Sequence, residues 1–151
     1  MAVKEGDPAP DIQLRTDTGA AFQLASLRGK KVVLYFFPRA STPGCSIESR
    51  EFRDAMKKFE NKGAVVIGIS PDTPKAQTNF KEKECLPFTL LCDVDKKAAQ
   101  AYDVWKEKNM YGKKVMGIAR TTFVLDEQGK VRKIFSKVKP EGHAAEVLAA
   151  L

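Results

Sequence analysis

One cysteine, Cys45, stands in the run Phe37-Pro38-Arg39-Ala40-Ser41-Thr42-Pro43-Gly44-Cys45-Ser46-Ile47-Glu48, with no second cysteine near it. The chemistry it offers is nucleophilic, provided the sulfur is held as a thiolate. Its neighbours favour that. Thr42 suits a helix N-cap and Pro43 the first helical position, which makes Gly44 the second and Cys45 the third. A sulfur there meets backbone N–H groups that no helical carbonyl satisfies, at the positive end of the helix dipole. Most free cysteines end as inert buried thiols, but Ser41 to Gly44 are loop and cap residues rather than core.

Spacing argues against other cysteine chemistries. A redox pair needs Cys-x-x-Cys, and here Thr42 precedes and Glu48 follows at that distance. A phosphatase loop needs Cys-x5-Arg, and that position is Glu51. Zinc needs paired Cys or His ligands. The sole histidine, His143, opens the last predicted helix, where a helix-terminal role suits it better than that of ligand or catalytic base.

The elements that must position Cys45 are legible in the hydrophobic pattern. Lys31 to Phe37 is a continuous apolar strand of the kind buried on both faces, and Pro38 ends it. Phe52, Ala55, Met56 and Phe59 recur at helical spacing after Cys45. Gly63 closes that helix, and Ala64 to Ile69 is a second buried strand. Strand, helix and strand make a right-handed βαβ unit, with Cys45 at the carboxyl end of its first strand, where open α/β sheets place their sites. A short hairpin over Asp11–Leu14 and Phe22–Leu24 precedes the unit. A helix from Thr73-Pro74 carries Ala76 and Phe80 inward, and a strand over Phe88–Cys92 follows it. A short helix through Ala98, Ala99, Tyr102 and Trp105 is expected next. Then come a hairpin from Thr121–Leu125 to Val131–Phe135 and a last helix with Ala144, Val147, Leu148 and Leu151 on one face. Trp105, Met110 and Tyr111 are expected in core packing. The order implies a mixed sheet with helices on both faces.

Bulk properties agree. A chain of 151 residues, 43% apolar and 30% charged, suits one globular domain spanning 1–151. The longest apolar runs, Val32–Phe37 and Ala64–Ile69, are too short to cross a bilayer. The opening residues lack a signal-peptide core, and three widely spaced cysteines make no disulfide framework, so the expected compartment is the reducing cytoplasm. The net charge of +7 is spread over lysine pairs such as Lys30-Lys31 and Lys113-Lys114 with acids between them. That is a solvated surface rather than the basic stripe nucleic acid demands.

The pattern Pro38-x-x-x-Thr42-x-x-Cys45 resembles the signature of the peroxiredoxins, and the wider run from Phe36 to Glu48 is similar to their peroxiredoxin Q, or bacterioferritin comigratory, group. Gly117 to Asp126 resembles the strand that carries the family's arginine, and Gly6-Asp7-Pro8-Ala9-Pro10 resembles its opening. The resemblance implies a thioredoxin-like α/β sandwich and a thiol peroxidase acting on hydrogen peroxide and organic hydroperoxides, without metal, flavin or haem. It implies that Cys45 is the peroxidatic cysteine, that Thr42 hydrogen-bonds thiolate and peroxide, and that Arg120 orients substrate. Pro38 and Pro43 would shape the pocket, with Gly44 and Glu48 in support. Thioredoxin or a similar thiol donor would be the reductant, and the protein a monomer or weak dimer. From another class, a non-catalytic basic thioredoxin-fold binding module with a structural Cys45 is the alternative.

Ionisation alone cannot make such an enzyme. Lowering an ordinary thiol by about three pKa units raises its thiolate fraction roughly thirty-fold and corresponds to about 4 kcal/mol. A helix N-terminus supplies only ~0.3–1 kcal/mol, so Arg120 and hydrogen bonds to sulfur would have to supply most of the rest. Falling nucleophilicity then forfeits about twenty-fold. The remaining acceleration must come from donors that align the attacked oxygen and stabilise charge on the leaving one.

One departure concerns the second half of the cycle. Many members of the group carry a resolving cysteine five residues after the peroxidatic one, and here that residue is Arg50. Three readings stay open. Cys85, turned toward solvent at a helix end before Leu86-Pro87, resolves after local unfolding; Cys92 does; or an external thiol attacks in a one-cysteine cycle.

Overall fold

In a computed structural model, which describes residues 3–151 and not the side chain of Met110, a seven-stranded sheet forms the centre. In chain order its strands are β1 Gln13–Thr16, β2 Ala21–Gln23, β3 Lys31–Phe36, β4 Ala64–Ser70, β5 Thr89–Cys92, β8 Thr121–Leu125 and β9 Val131–Phe135. A separate hairpin is made of β6 Trp105–Met110 and β7 Lys113–Ile118. The helices are α1 Pro43–Asp54, α2 Met56–Asn61, α3 Pro74–Glu84, α4 Lys97–Ala101 and α5 His143–Ala149. The spatial order is β2-β1-β5-β4-β3-β8-β9. β3, β4 and β5 are parallel, whereas β1, β2, β8 and β9 join antiparallel. The sheet is therefore mixed, as the hydrophobic pattern implies.

The sheet separates two apolar layers. Val32, Leu34, Phe36, Ile67, Ile69 and Phe123 pack on one face with Ala98, Ala99 and Tyr102. Val33, Tyr35, Phe37, Val66, Leu90 and Val124 pack on the other with Phe52, Phe59, Phe80 and Val147. Alternate residues of β3 thus serve opposite layers, which is why its sequence is apolar throughout rather than alternating. Gly68 has a close-approach reason to be glycine: a Cβ there would lie 2.8 Å from Tyr35 Cζ. That space lets the Tyr35 ring cross the sheet and place its hydroxyl 2.8 Å from Ser49 Oγ on α1.

Four expectations need correction. The helix after Cys45 breaks at Ala55, whose φ and ψ of −98° and 2° separate α1 from α2. The stripe of apolar residues runs across that break, so periodicity alone could not detect it. Trp105 begins β6 rather than ending a helix. The β6–β7 hairpin was not foreseen, although its turn is marked by Gly112, which with Tyr111 adopts positive φ as a tight hairpin turn requires. Tyr111 is at that tip and fully exposed, not packed in the core, while Trp105 does pack against the core. Met110's side chain lies outside the described residues.

Candidate active site

β3 ends at Phe36, and Phe37 extends the ladder by donating its N–H to Ile69 O at 3.0 Å. Pro38 has no N–H to continue it. The chain then turns through Ser41, held at φ 62°, and Ala40 N donates to Asp72 Oδ2 at 2.7 Å. Helix α1 starts at Pro43, with Thr42 in the extended N-cap conformation and Cys45 in the third position. Ser46 N donates to Thr42 O at 2.9 Å, the first helical bond. The N–H groups of Gly44 and Cys45 fall in the first turn, where no carbonyl of the helix can reach them.

Arg120 arrives from the opposite direction. It is the residue before β8, and Phe36 pairs with Thr121 in the antiparallel register of β3 and β8. Arg120 therefore stands level with the loop that leads to Cys45. Its Nη2–H donates to Cys45 Sγ at 3.4 Å and its Nη1–H to Glu48 Oε1 at 2.7 Å. One rigid guanidinium fork is thus divided between a sulfur and a carboxylate one helical turn apart. The Cys45 and Glu48 side chains are fully buried. Gly44 makes this approach possible: a Cβ there would come 3.2 Å from Arg120 Nη2 and 3.5 Å from Pro140 Cγ. Its φ is unexceptional, so space rather than backbone freedom demands glycine.

The charges in this pocket are unequally satisfied. Burial pushes the Glu48 carboxyl up to about 7, against the pull of Arg120. Its second oxygen, Oε2, is buried without a partner. Burial works against the charge of Arg120 as well, but Glu48 and Cys45 outweigh it and hold the guanidinium above its ordinary value. Lys108 of β6 is half-buried, and burial and then Arg120 lower its ammonium while Cys45 acts in the opposite sense. Sequence reasoning missed Lys108, because the hairpin that carries it was missed.

The remaining expected residues divide into those that gather and those that do not. Pro38 is half-buried, whereas Pro43 is exposed. Thr42 flanks the site, but its hydroxyl donates to Arg39 O at 2.8 Å and makes no side-chain cap. This corrects its expected donation to sulfur: the nearby carbonyl has taken the proton, and the oxygen lone pairs remain as acceptors. His143 is buried away from Cys45, with Nε2 2.7 Å from Thr122 Oγ1. Arg50, at the usual resolving position, pairs with Glu84 Oε2 at 2.9 Å. Cys85 follows Glu84 as the left-handed C-cap of α3, exposed. Cys92 is buried in β5. Among the described residues, no group of three or more His, Cys, Asp or Glu side chains could hold a metal ion.

This arrangement agrees with the relatives of the chain. The family model described as the AhpC/TSA family matches residues 5–134. Peroxiredoxin Bcp of Bacillus subtilis is 46% identical over 151 residues, covering 100% of this chain and 96% of that protein. The solved structure of the bacterioferritin comigratory protein of Xanthomonas campestris superposes with a TM-score of 0.88 at 42% identity, covering 92% of this chain and 88% of that one. A cysteine-to-serine mutant of PrxQ from Xylella fastidiosa superposes with a TM-score of 0.93 at 34% identity, covering 99% and 95%. The fold is accordingly the thioredoxin-like peroxiredoxin sandwich. With a buried sulfur under an arginine at the carboxyl end of β3, the chain belongs to the AhpC/TSA family and, within it, to the Bcp/PrxQ peroxiredoxins, thiol-dependent peroxidases.

Proposed function

We propose that Cys45 is the peroxidatic residue of a single-domain enzyme and that it reduces hydrogen peroxide and alkyl hydroperoxides. The observation that carries this is the Arg120 contact to Cys45 Sγ at 3.4 Å. The Xanthomonas relative was studied for alkyl peroxide reduction, and the same substrate class suits an uncharged oxygen pair entering beside this guanidinium. The Cys45 thiolate attacks one peroxide oxygen, the O–O bond breaks with its electron pair on the leaving oxygen, and sulfur becomes the sulfenic acid. The leaving hydroxide or alkoxide takes a proton and departs as water or alcohol. Arg120 and the N–H groups of Gly44 and Cys45 supply positive charge where it develops. Thr42 Oγ1, its own hydrogen committed to Arg39, accepts from the peroxide O–H and so fixes which oxygen faces sulfur. Gly44 keeps the guanidinium seated, Glu48 anchors its other arm, and Pro38 closes the strand end against water.

In the second half of the cycle, Cys85 is the favoured partner within the chain. It is exposed at a helix terminus, and its neighbour Glu84 is tied to Arg50 and Arg53 of α1. Arg53 lies eight residues beyond Cys45, about 12 Å along the helix. A disulfide needs Cα atoms within roughly 7 Å, so the first turns of α1 or the end of α3 must unwind to form it. Cys85, non-glycine yet left-handed at φ 53°, marks an end that opens readily. If this opening is too slow, an external thiol attacks the sulfenic acid directly. Thioredoxin is the proposed reductant, the cytoplasm the proposed location, and monomer or weak dimer the proposed state.

Intact mass after one equivalent of hydrogen peroxide, on denatured non-reduced protein, tests the scheme in wild type and Cys85→Ser. Loss of two hydrogens in wild type alone supports Cys85. Added oxygen on Cys45 in both supports the external thiol. No rapid change in either would remove Cys45 from its proposed role.

A further inference from the structure

The peptide unit between Arg39 and Ala40 is held from both sides. Its carbonyl oxygen accepts from Thr42 Oγ1–H at 2.8 Å, and its N–H donates to Asp72 Oδ2 at 2.7 Å. The unit is planar and trans, so its N–H and C=O point in opposite directions. Turning the N–H away from Asp72 therefore turns the carbonyl away from Thr42.

Asp72 comes to the Cys45 loop from the side opposite Arg120. In the sheet, β3 lies between β8 and β4; Arg120 precedes β8, and Asp72 follows β4, which ends at Ser70. The carboxylate is itself anchored. Ser70 Oγ–H donates to the same Oδ2 at 2.6 Å, and Gln77 Nε2–H donates to Ser70 Oγ at 2.8 Å and to Leu91 O at 2.9 Å. Leu91 O only accepts, so the nitrogen of the Gln77 amide must face it. Ser70 then accepts from Gln77 and keeps its one hydrogen for Asp72. The direction of each bond from β5 to the Cys45 loop is thereby set, and both Ser70 and Gln77 are buried. Ser41, non-glycine at φ 62°, holds a left-handed conformation that persists only where neighbouring bonds impose it.

These bonds bear on Thr42, whose hydroxyl has a single hydrogen. While Arg39 O holds that hydrogen, only lone pairs are left to meet a peroxide. The carboxylate on Ala40 N–H also polarises the peptide unit and makes its carbonyl the stronger acceptor. We propose that Asp72 is a positioning residue of peroxide reduction: through the Arg39–Ala40 peptide it fixes the Thr42 hydroxyl as an acceptor for the peroxide hydrogen. This rests on the peroxidase reading of Cys45 and Thr42.

The test is the second-order rate constant for Cys45 oxidation by hydrogen peroxide, set beside Cys45 alkylation by iodoacetamide at the same pH. Alkylation consumes the same thiolate but needs no acceptor for a peroxide hydrogen. Asp72→Ala should oxidise about tenfold more slowly and alkylate within about twofold of wild type. Asp72→Asn, whose amide oxygen still accepts from Ala40 N, should recover most of the rate. Ser70→Ala, which removes one anchor of the carboxylate and leaves Asp72 in place, should slow oxidation about threefold. In a Thr42→Val background, Asp72→Ala should cost nothing further, because the hydroxyl it orients is gone. Oxidation of Asp72→Ala at the wild-type rate would overturn the proposal. So would equal falls in oxidation and alkylation, no recovery in Asp72→Asn, or an undiminished further loss in the Thr42→Val background, since Asp72 would then act on the fold or the thiol rather than through Thr42. Wild-type protein that peroxide fails to oxidise at Cys45 would remove the peroxidase reading itself, and this proposal with it.

Discussion

Cys45 and Cys92 are both buried, and both lie at the carboxyl ends of parallel strands of one sheet. Cys92 is the last residue of β5, and its S–H donates to Thr16 O at 3.7 Å. Burial first, then Asp17 and Asp72, push its thiol up to about 11. Cys45 has a guanidinium at 3.4 Å and the first turn of α1 around it. An open cavity of about 560 Å³ lies beside Cys92, lined in part by Arg15, Phe22, Pro74 and Lys97, yet the sulfur there meets carboxylates. Neither burial nor a neighbouring cavity makes a thiol a nucleophile. The sign of the charge brought to it does.

The two thiols should not be interchangeable. Cys45→Ser should lower thiol-dependent peroxide consumption by on the order of a thousandfold or more, while Cys92→Ser stays within about twofold. Comparable losses in both would erase the distinction. Next comes the charge itself. Arg120→Ala should cost about 10²–10³ in the peroxide rate constant, compared at equal thiolate fraction by stopped-flow oxidation. Recovery of the full rate once that fraction is matched would show that Arg120 acts on ionisation only. Arg120→Lys should recover little, because an ammonium cannot divide itself between sulfur and Glu48. Gly44→Ala tests the seating of the guanidinium. Its Cβ, 3.2 Å from Nη2, should push the guanidinium by tenths of an ångström and slow oxidation about tenfold.

The smallest effects are in stability against pH. Glu48 is raised to about 7 from 4.5, so its contribution is fully present below about 4.5 and is lost as pH rises through about 7. Relative to those of Glu48→Gln, urea midpoints of wild type should therefore fall across that window. His143 runs the other way. Burial lowers its imidazole, with Glu146 opposing, so its contribution is present above the unfolded value near 6.5 and is lost as pH falls below it. In Glu48→Gln, only this acid-side decline should remain. A wild-type midpoint that keeps a constant offset from that of Glu48→Gln between pH 4.5 and 7 would mean that Glu48 ionises in place without penalty.

Much of the catalytic half-site was legible because its determinants are local. Thr42-Pro43 after a strand favours a helix start, which puts Cys45 in the first turn, and the structure places it there. Arg120 was reachable only through family resemblance; on its own it reads as a surface charge before a strand. Cys85, at a helix end before Leu86-Pro87, is expected to face solvent, and it is exposed. The hairpin was lost for a different reason. Its strands carry charged residues on both faces, so they show no clean apolar alternation, and Gly112 alone is too weak a marker. The hydroxyl of Thr42 was misdirected because an N-cap preference does not say which nearby acceptor wins.

The βαβ unit, the parallel core strands and the cysteine at a helix start follow from local sequence, since apolar periodicity and capping act over a few residues. The charges that surround each thiol depend instead on how distant segments pack. Arg120 reaches Cys45 through the register of β3 with β8, and Asp17 and Asp72 come to Cys92 from separate loops. Such groups are distant in the chain, and no local preference encodes their meeting. The packing of the sheet brings them together, and at that range Coulomb interactions in a poorly solvated interior set the charge that each sulfur faces.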